Sequence, residues 1–269
     1  MRTGGLSGGG RKTCGAEDRF PRNHGGGGGG SLAVVGIGPG RTAEMTPRAV
    51  EALKEAEVVV GYRTYLELID QILTGKEIIE SGMREEVARA REAVARAVAG
   101  ARVVVVSSGD PGVYGMAAPV LEAAETAGVA VTVVPGVTAA TAAAALLGAP
   151  LGHDFAVISL SDLLTPWSVI EKRLRAAVDA DFVLVLYNPA SSRRQEKWRQ
   201  ALAVIREGRP PETPAGVVWD AGREGERKVV CDLATIADFP VDMRATVIVG
   251  NSQTYVANGV MITPRGYKW

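Results

Sequence analysis

The chain has 269 residues, 46% of them hydrophobic, with 30 basic and 30 acidic side chains and no net charge. That size buries one large core or two smaller ones, and the balanced charge excludes a broad field recruiting nucleic acid or an anionic membrane. No apolar stretch approaches the ~20 residues of a membrane helix, so any polyanionic partner must be met by local arginines.

Residues 1–30 are different material. They hold twelve of the 33 glycines and almost no large apolar side chain. They carry basic residues but not the apolar centre of a secretory signal. Such a composition does not bury enough surface to offset its ordering entropy, and a disordered glycine-rich tail is expected. Cys14 and Cys231 form no metal-ligand spacing, which predicts a reduced, cytoplasmic protein without a metal of its own.

From Leu32 the pattern is strand, loop, helix, repeated. The run Val34-Val35-Gly36-Ile37-Gly38-Pro39-Gly40 is a buried strand entering a glycine-proline turn. Thr46-Pro47 then starts a helix, with a hydroxyl at the N-cap and proline at the first helical position. Ala49, Val50, Leu53 and Ala56 give it an apolar stripe. A strand at 58–60 precedes Tyr62-Arg63-Thr64-Tyr65 and a helix through Leu66, Ile69 and Leu73, and residues 77–79 are short and extended. A long helix is expected over 85–99, with Val87, Val94 and Val98 on its inner face and Glu85–Arg89 and Glu92–Arg96 pairs outside. Gly100 ends it.

Val103-Val104-Val105-Val106 leads into Ser107-Ser108-Gly109-Asp110-Pro111-Gly112-Val113-Tyr114-Gly115, followed by a helix near 117–127. Val131-Thr132-Val133-Val134 leads into Pro135-Gly136-Val137-Thr138, followed by an alanine-rich helix over 139–147. The texture changes at 148–154. Strands are expected at 155–160 and 182–187, helices at 166–178 and 193–206, and a hairpin from 217–219 and 227–230 around residues 220–226. A short helix at 232–239 and strands at 246–249 and 259–263, both read as edge strands, complete the chain. The sum is an α/β protein of two domains, residues 31–152 with a mainly parallel sheet and residues 153–269 with a mixed one.

Continuous β-branched runs read as strands buried on both faces, the habit of parallel sheets. Ligands bind such sheets beyond the carboxyl ends of the strands. Here three of those ends carry small residues with exposed backbone groups, which describes one wall of one site. The first loop is not a dinucleotide fingerprint: that motif needs glycine where Arg41 stands and an acid closing the second strand, which ends Val60-Gly61-Tyr62. Asp110, fixed by the proline after it, is either a turn former or a ligand contact. His153 is read as a hinge or packing residue, and the pair Tyr62 and Tyr65 as packing.

The three loops, Gly38-Pro39-Gly40, Ser108-Gly109-Asp110-Pro111 with Tyr114-Gly115, and Pro135-Gly136-Val137-Thr138-Ala139, resemble the tetrapyrrole methylase family in order and spacing. The resemblance extends from Leu32 to Trp269. Gly61-Tyr62-Arg63-Thr64-Tyr65, Ser161-Asp162-Leu163-Leu164-Thr165-Pro166-Trp167, Leu186-Tyr187-Asn188-Pro189 and Ala221-Gly222-Arg223-Glu224-Gly225-Glu226 are similar to the branch acting at C17 of precorrin-3B or its cobalt-bound counterpart. The resemblance implies a two-domain fold with the active site in the interdomain cleft, S-adenosylmethionine as methyl donor, ring contraction alongside methyl transfer, and a homodimer. It implies donor contacts from Pro39, Ser108, Gly109, Asp110, Val113, Thr138, Ala139, Asn188 and Gly222. Arg41, Arg63, Arg193 and Arg223, in or beside the motif loops, are candidate clamps for the substrate's carboxylate arms. Asp110, Ser161, Asp162 and Thr165 are candidates for proton movement in ring contraction. The alternatives are action at another tetrapyrrole carbon of the same pathway and, in another class, a nucleotide-dependent oxidoreductase.

Overall fold

The computed structural model describes residues 30–190 and 195–268. Apart from Gly30, the expected tail lies outside the described residues, as does Arg193.

The first half contains β1 (Ser31–Gly36), a 3-10 turn (Thr42–Glu44), α1 (Pro47–Glu55), β2 (Val58–Tyr62), α2 (Arg63–Glu67), α3 (Asp70–Leu73), β3 (Glu77–Ser81), α4 (Glu86–Val98), β4 (Arg102–Ser107), α5 (Ala117–Glu125) and β5 (Val131–Val134). The strands form one sheet in the order β3-β2-β4-β1-β5. Every pairing in it is parallel. Alternate residues of the valine-rich strands feed opposite faces. Ala33, Val35 and Ile37 pack on Ala49, Leu53, Leu66 and Ile69, whereas Leu32 and Val34 pack on Ala90, Ala93, Val94 and Val120.

Thr46 caps α1 as expected, its Oγ1 accepting from the Ala49 N–H at 3.1 Å, with Pro47 at the first position. Thr46→Ala is therefore expected to cost about 1 kcal/mol. In a calorimetric scan that is a fall in Tm of about 2–4 °C.

Two expectations fail in this half. The helix through Leu66, Ile69 and Leu73 is broken into α2 and α3 at Ile69, whose φ of −128° and ψ of 19° leave the helical region. In α4 the inner face is Arg89, Ala90, Ala93, Val94 and Ala97, while Val87 and Val98 are 59% and 63% exposed. Alanine lets the helix backbone sit close to the sheet, and that approach outweighs burial of two peripheral valines. Arg89 accordingly points inward rather than pairing with Glu85. The Glu92–Arg96 pair forms as expected, at 2.9 Å.

The second half contains α6 (Ala139–Leu147), β6 (Gly148–Ala149), β7 (Phe155–Ser159), α7 (Trp167–Asp179), β8 (Val183–Tyr187), α8 (Gln195–Gly208), β9 (Pro214–Trp219), β10 (Arg227–Asp232), a 3-10 turn (Ile236–Asp238), β11 (Ala245–Val249), β12 (Tyr255–Ala257) and β13 (Val260–Ile262). The main sheet runs β10-β9-β11-β8-β7. It is mixed: β7 and β8 are parallel, and β8, β11, β9 and β10 are successively antiparallel. α6 covers one face, packing Ala140, Ala143, Ala144 and Leu147 on Val183, Val185, Val218 and Ile248. α7 and α8 cover the other through Ile170, Leu174, Trp198 and Ile205.

The helix expected at 232–239 is only the turn Ile236–Asp238. Asp232 still belongs to β10, and its carboxylate accepts from the N–H and the hydroxyl of Thr235. Neither strand read as an edge is one. β11 lies between β9 and β8, and β13 lies between β12 and β6. The edges of these two sheets are β10, β7, β12 and β6, so uncovered strands at 246–249 and 259–263 give no ground for a dimer.

Candidate active site

The three small-residue loops leave the carboxyl ends of β4, β1 and β5, which are neighbours in the sheet. Gly38 and Gly109 exchange two backbone hydrogen bonds, of 3.2 and 2.8 Å. Both have positive φ, 69° and 66°, a conformation that glycine adopts without strain. A β-carbon on Gly36 would lie 2.6 Å from the Gly109 carbonyl oxygen and 2.7 Å from the Gly136 nitrogen. On Gly136 it would lie 2.2 Å from the same Gly109 oxygen. Three backbones thus touch directly, because none carries a side chain at the point of contact.

Asp110 ties this knot. Its Oδ1 accepts from the Gly112 N–H at 2.8 Å, and its Oδ2 from the Gly136 N–H at 3.0 Å. The turn-former reading holds, and the carboxylate also reaches across to the third loop. The first loop continues into a 3-10 turn, and α1 begins only at Pro47. No helix N-terminus of the dinucleotide kind follows the glycines.

The other half of the chain meets these loops at the ends of β8 and of the β9–β10 hairpin. Tyr187 Oη lies 2.7 Å from Thr138 Oγ1 and accepts from the Ala140 N–H at 2.6 Å. Thr138 precedes α6 but makes no side-chain cap of its own, so the phenol caps the helix from outside. Burial pushes the Tyr187 phenol up, against the pull of its bonds to Thr138 and Ala140. It stays protonated at neutral pH, sharing a hydroxyl–hydroxyl bond with Thr138 while accepting from the Ala140 N–H. The ring leans on Tyr114, centroid to centroid 5.8 Å. Tyr114 in turn donates to the Val157 carbonyl at 3.0 Å and accepts from the Ser159 N–H at 3.3 Å. Asn188, at φ 52°, donates from Nδ2 to Ser159 Oγ at 3.0 Å.

The hairpin closes over the first loop. Gly222, at φ 70°, would place a β-carbon 2.8 Å from Pro39 Cγ and 2.6 Å from Glu44 Oε2. Its N–H donates to Glu226 Oε2 at 2.7 Å. Arg223 donates from Nε to the Pro39 carbonyl and from Nη2 to Ser108 Oγ, both at 2.8 Å. Its guanidinium lies 6.0 Å from the Tyr65 ring centroid. Burial raises the Tyr65 phenol, and Arg223 pulls it back down. Glu44 Oε2 is buried and has no hydrogen-bond partner.

The fold therefore gathers Pro39, Ser108, Gly109, Asp110, Thr138, Ala139 and Gly222 around one point, with Asn188 held by Ser159 and the Val113 N–H bonded to the Asp110 carbonyl at 3.2 Å. Of the three described arginines, Arg41, Arg63 and Arg223, only Arg223 enters this cluster. Arg41 pairs with Glu226 at the hairpin, exposed, and Arg63 pairs with Glu80 at the end of β2. Ser161, Asp162 and Thr165 lie half-buried in the loop after β7. The Ser161 N–H donates to Ser159 Oγ, the atom that also holds Asn188. His153 is exposed, and its Nδ1 accepts from the N–H of its neighbour Asp154 at 2.9 Å. It does not pack. Tyr62 and Tyr65 do pack, edge to face at 5.1 Å. Among the described residues no cluster of three or more His, Cys, Asp or Glu converges on a metal position, and no helix is long and apolar enough to cross a membrane.

Sequence reasoning missed the functional weight of Tyr187. Its signal was a polar-tipped aromatic ending a buried strand, just before Asn188-Pro189. Tyr187→Phe leaves the ring packing in place and removes the cap of Ala140. It is expected to weaken binding of an anionic or polar ligand on the Thr138 loop about tenfold, ~1.4 kcal/mol. Tm should fall by no more than a few degrees, and calorimetric titration checks the pair of effects.

The family model described as Tetrapyrrole (Corrin/Porphyrin) Methylases matches residues 31–237. A protein of Salmonella typhimurium named "Probable cobalt-factor III C(17)-methyltransferase" is 51% identical over 238 residues, 88% of this chain and 99% of that one. A "Precorrin-3B C(17)-methyltransferase" of Sinorhizobium sp is 43% identical over 252 residues, 88% of this chain and 97% of that one. Among solved structures, the methyltransferase CobJ superposes with a TM-score of 0.81 at 40% identity, covering 87% of this chain and all of that one. Uroporphyrin-III C-methyl transferase from Thermus thermophilus, complexed with S-adenosylhomocysteine, superposes with a TM-score of 0.63 at 29% identity, covering 82% of this chain and 97% of that one.

Proposed function

The chain belongs to the tetrapyrrole (corrin/porphyrin) methylases, and from that premise we propose that it methylates C17 of precorrin-3B or of its cobalt-bound counterpart in cobalamin biosynthesis, with contraction of the ring. The observation that carries the reading is the meeting of three side-chain-free loops with Thr138, Asn188 and the Gly222 hairpin at one point. The names of its relatives support the position of the methyl group on the macrocycle. They include both the cobalt-bound and the metal-free substrate, and any cobalt belongs to the substrate.

The residues present fit S-adenosylmethionine. Because Gly36 and Gly136 carry no β-carbon, the three loops close on one another, and the backbone donors and acceptors they present together suit a zwitterionic, hydrogen-bonding ligand. Bound there, the donor supplies an electrophilic methyl on a sulfonium. Pro39, Ser108, Gly109, Asp110 and Val113 of the first half hold it, Thr138 and Ala139 join them at the start of α6, which packs on the second sheet, and Asn188 and Gly222 of the second half complete the site. The methyl step needs alignment and exclusion of water more than acid–base help. Rigid loops cross-linked by Asp110, Tyr187 and Arg223 supply that alignment. Arg41, Arg63, Arg193 and Arg223 grip the carboxylate arms, and Ser161, Asp162 and Thr165 serve the proton movements of ring contraction. We also read the protein as a cytoplasmic homodimer, with the open edge of β12 and its exposed Tyr255 and Val256 as the surface to cover.

Thermal scanning separates this class from an oxidoreductase. S-adenosylhomocysteine at 100 times its Kd adds ~2.7 kcal/mol, which raises Tm by about 5–10 °C, and NADH leaves it unchanged. Stabilisation by NADH alone would overturn the reading.

A further inference from the structure

Arg89 is only 5% exposed, yet no carboxylate lies within ion-pair distance of it among the described residues. Its fork instead donates to neutral acceptors: Nε to Ser81 Oγ at 2.5 Å, Nη2 to the Gly82 carbonyl at 2.9 Å, and Nη1 to Met116 Sδ at 3.3 Å. The thioether is a weak acceptor. A buried guanidinium with no carboxylate in direct contact is expensive, and burial pushes its pKa down, against the longer-range pull of Glu86 and Glu85. Three alanines of α4 share its inner face, so nothing in the packing of that helix requires an arginine there.

Ser81 and Gly82, the residues that Arg89 holds, form one wall of a cavity of about 460 Å³ at the carboxyl ends of β2 and β3. Tyr62, Arg63, Thr64 and Met83 line the rest, with Glu80 and Glu85. Both glutamates are already engaged, Glu80 by Arg63 at 3.1 Å and Glu85 by the Gly82 N–H at 2.8 Å. The Arg63–Glu80 pair is solvent-exposed, 70% and 48%. A pair of that kind contributes little and exchanges readily for another carboxylate. The volume is in the range of small-molecule sites, and the strand ends are where parallel sheets receive ligands. Tyr65, edge to face against Tyr62 of the cavity and 6.0 Å from the Arg223 guanidinium, links the cavity to the glycine loops.

Building on the proposed function, we propose that this cavity seats one carboxylate-bearing pyrrole ring of the substrate, with Arg63 binding the arm at the mouth and Arg89 acting as a positioning residue behind the wall. Arg89 fixes the Ser81 hydroxyl and the Gly82 carbonyl and supplies a positive charge that no carboxylate among the described residues contacts directly.

The test compares Arg89→Met, Arg89→Lys and Arg63→Gln in steady-state methyl transfer, with S-adenosylhomocysteine affinity measured by calorimetry. Arg89→Met is expected to raise the tetrapyrrole KM about tenfold and to flatten its dependence on salt, with donor affinity within about twofold of the parent. Arg89→Lys, which keeps the charge, is expected to recover part of that loss, whereas a purely structural strut would be lost equally in both. Arg63→Gln touches an exposed pair and leaves folding intact, so an increased KM there supports the cavity even if Arg89→Met misfolds. An unchanged KM in Arg63→Gln, or equal loss of Tm, kcat and donor affinity in both Arg89 variants, overturns the assignment. A parent enzyme that binds S-adenosylhomocysteine but ignores the tetrapyrrole would overturn the proposed function, and this inference with it.

Discussion

Gly136→Ala is expected to abolish donor binding and to destabilise the fold. The added methyl would sit 2.2 Å from the Gly109 carbonyl oxygen and 2.9 Å from the Gly36 carbonyl carbon and oxygen. Real β-carbons do not approach backbone oxygens that closely, and the atoms met are backbone, so no side chain can swing away. Relief requires the third loop to withdraw from the first two, which breaks the Asp110–Gly136 bond and shifts Thr138 and Ala139 with it. Overpacking of this kind costs about 1–3 kcal/mol, a fall in Tm of several degrees. The loss in S-adenosylhomocysteine affinity should be larger, at least about 100-fold or ~2.7 kcal/mol, because all three walls of the cradle move. A variant that binds like the parent would show that the loops do not form the donor site.

Asp110→Ala is expected to reduce turnover about 100-fold while lowering Tm by only a few degrees. The carboxylate makes charge-assisted bonds to two backbone N–H groups in two different loops. Gly112 is exposed and turns to water, but the Gly136 N–H is half-buried and loses its partner. The stability cost is that of one such orphaned donor, about 1–3 kcal/mol. Turnover depends more steeply on the registration of the loops, since an error of an ångström in a near-attack geometry costs about two orders of magnitude. Asp110→Asn should rescue little, because an amide cannot present an acceptor to both N–H groups at once. If Asp110→Ala turned over like the parent, the residue would be a turn former and nothing more.

These two residues also mark what the sequence could reveal. The strand ends were legible because unbroken runs such as Val103-Val104-Val105-Val106 fit only a strand buried on both faces, and glycine and proline punctuate them. The helix at 139–147 and its N-terminal Thr138 were legible for the same local reason, and so was the Thr46 cap. The tyrosine that caps Ala140 was not, because Tyr187 lies 47 residues away. Nor were the arginine partners: Arg223 reaches Ser108 across 115 residues and Pro39 across 184. Periodicity misjudged α4 because valine outweighs alanine in any hydropathy pattern, whereas close packing on a sheet rewards the smaller residue. Strand order failed at β11 and β13, since which strand lies at an edge is decided by pairing between distant segments.

The most direct measurement of the central claim is incubation with carbon-13 methyl-labelled S-adenosylmethionine and both C20 substrates, metal-free and cobalt-bound, followed by mass and carbon NMR analysis of the product. A ring-contracted product carrying one labelled methyl on C17 from either substrate is the result this account predicts. Label on another ring carbon, or no label in any product from a chain that binds the donor, would contradict it.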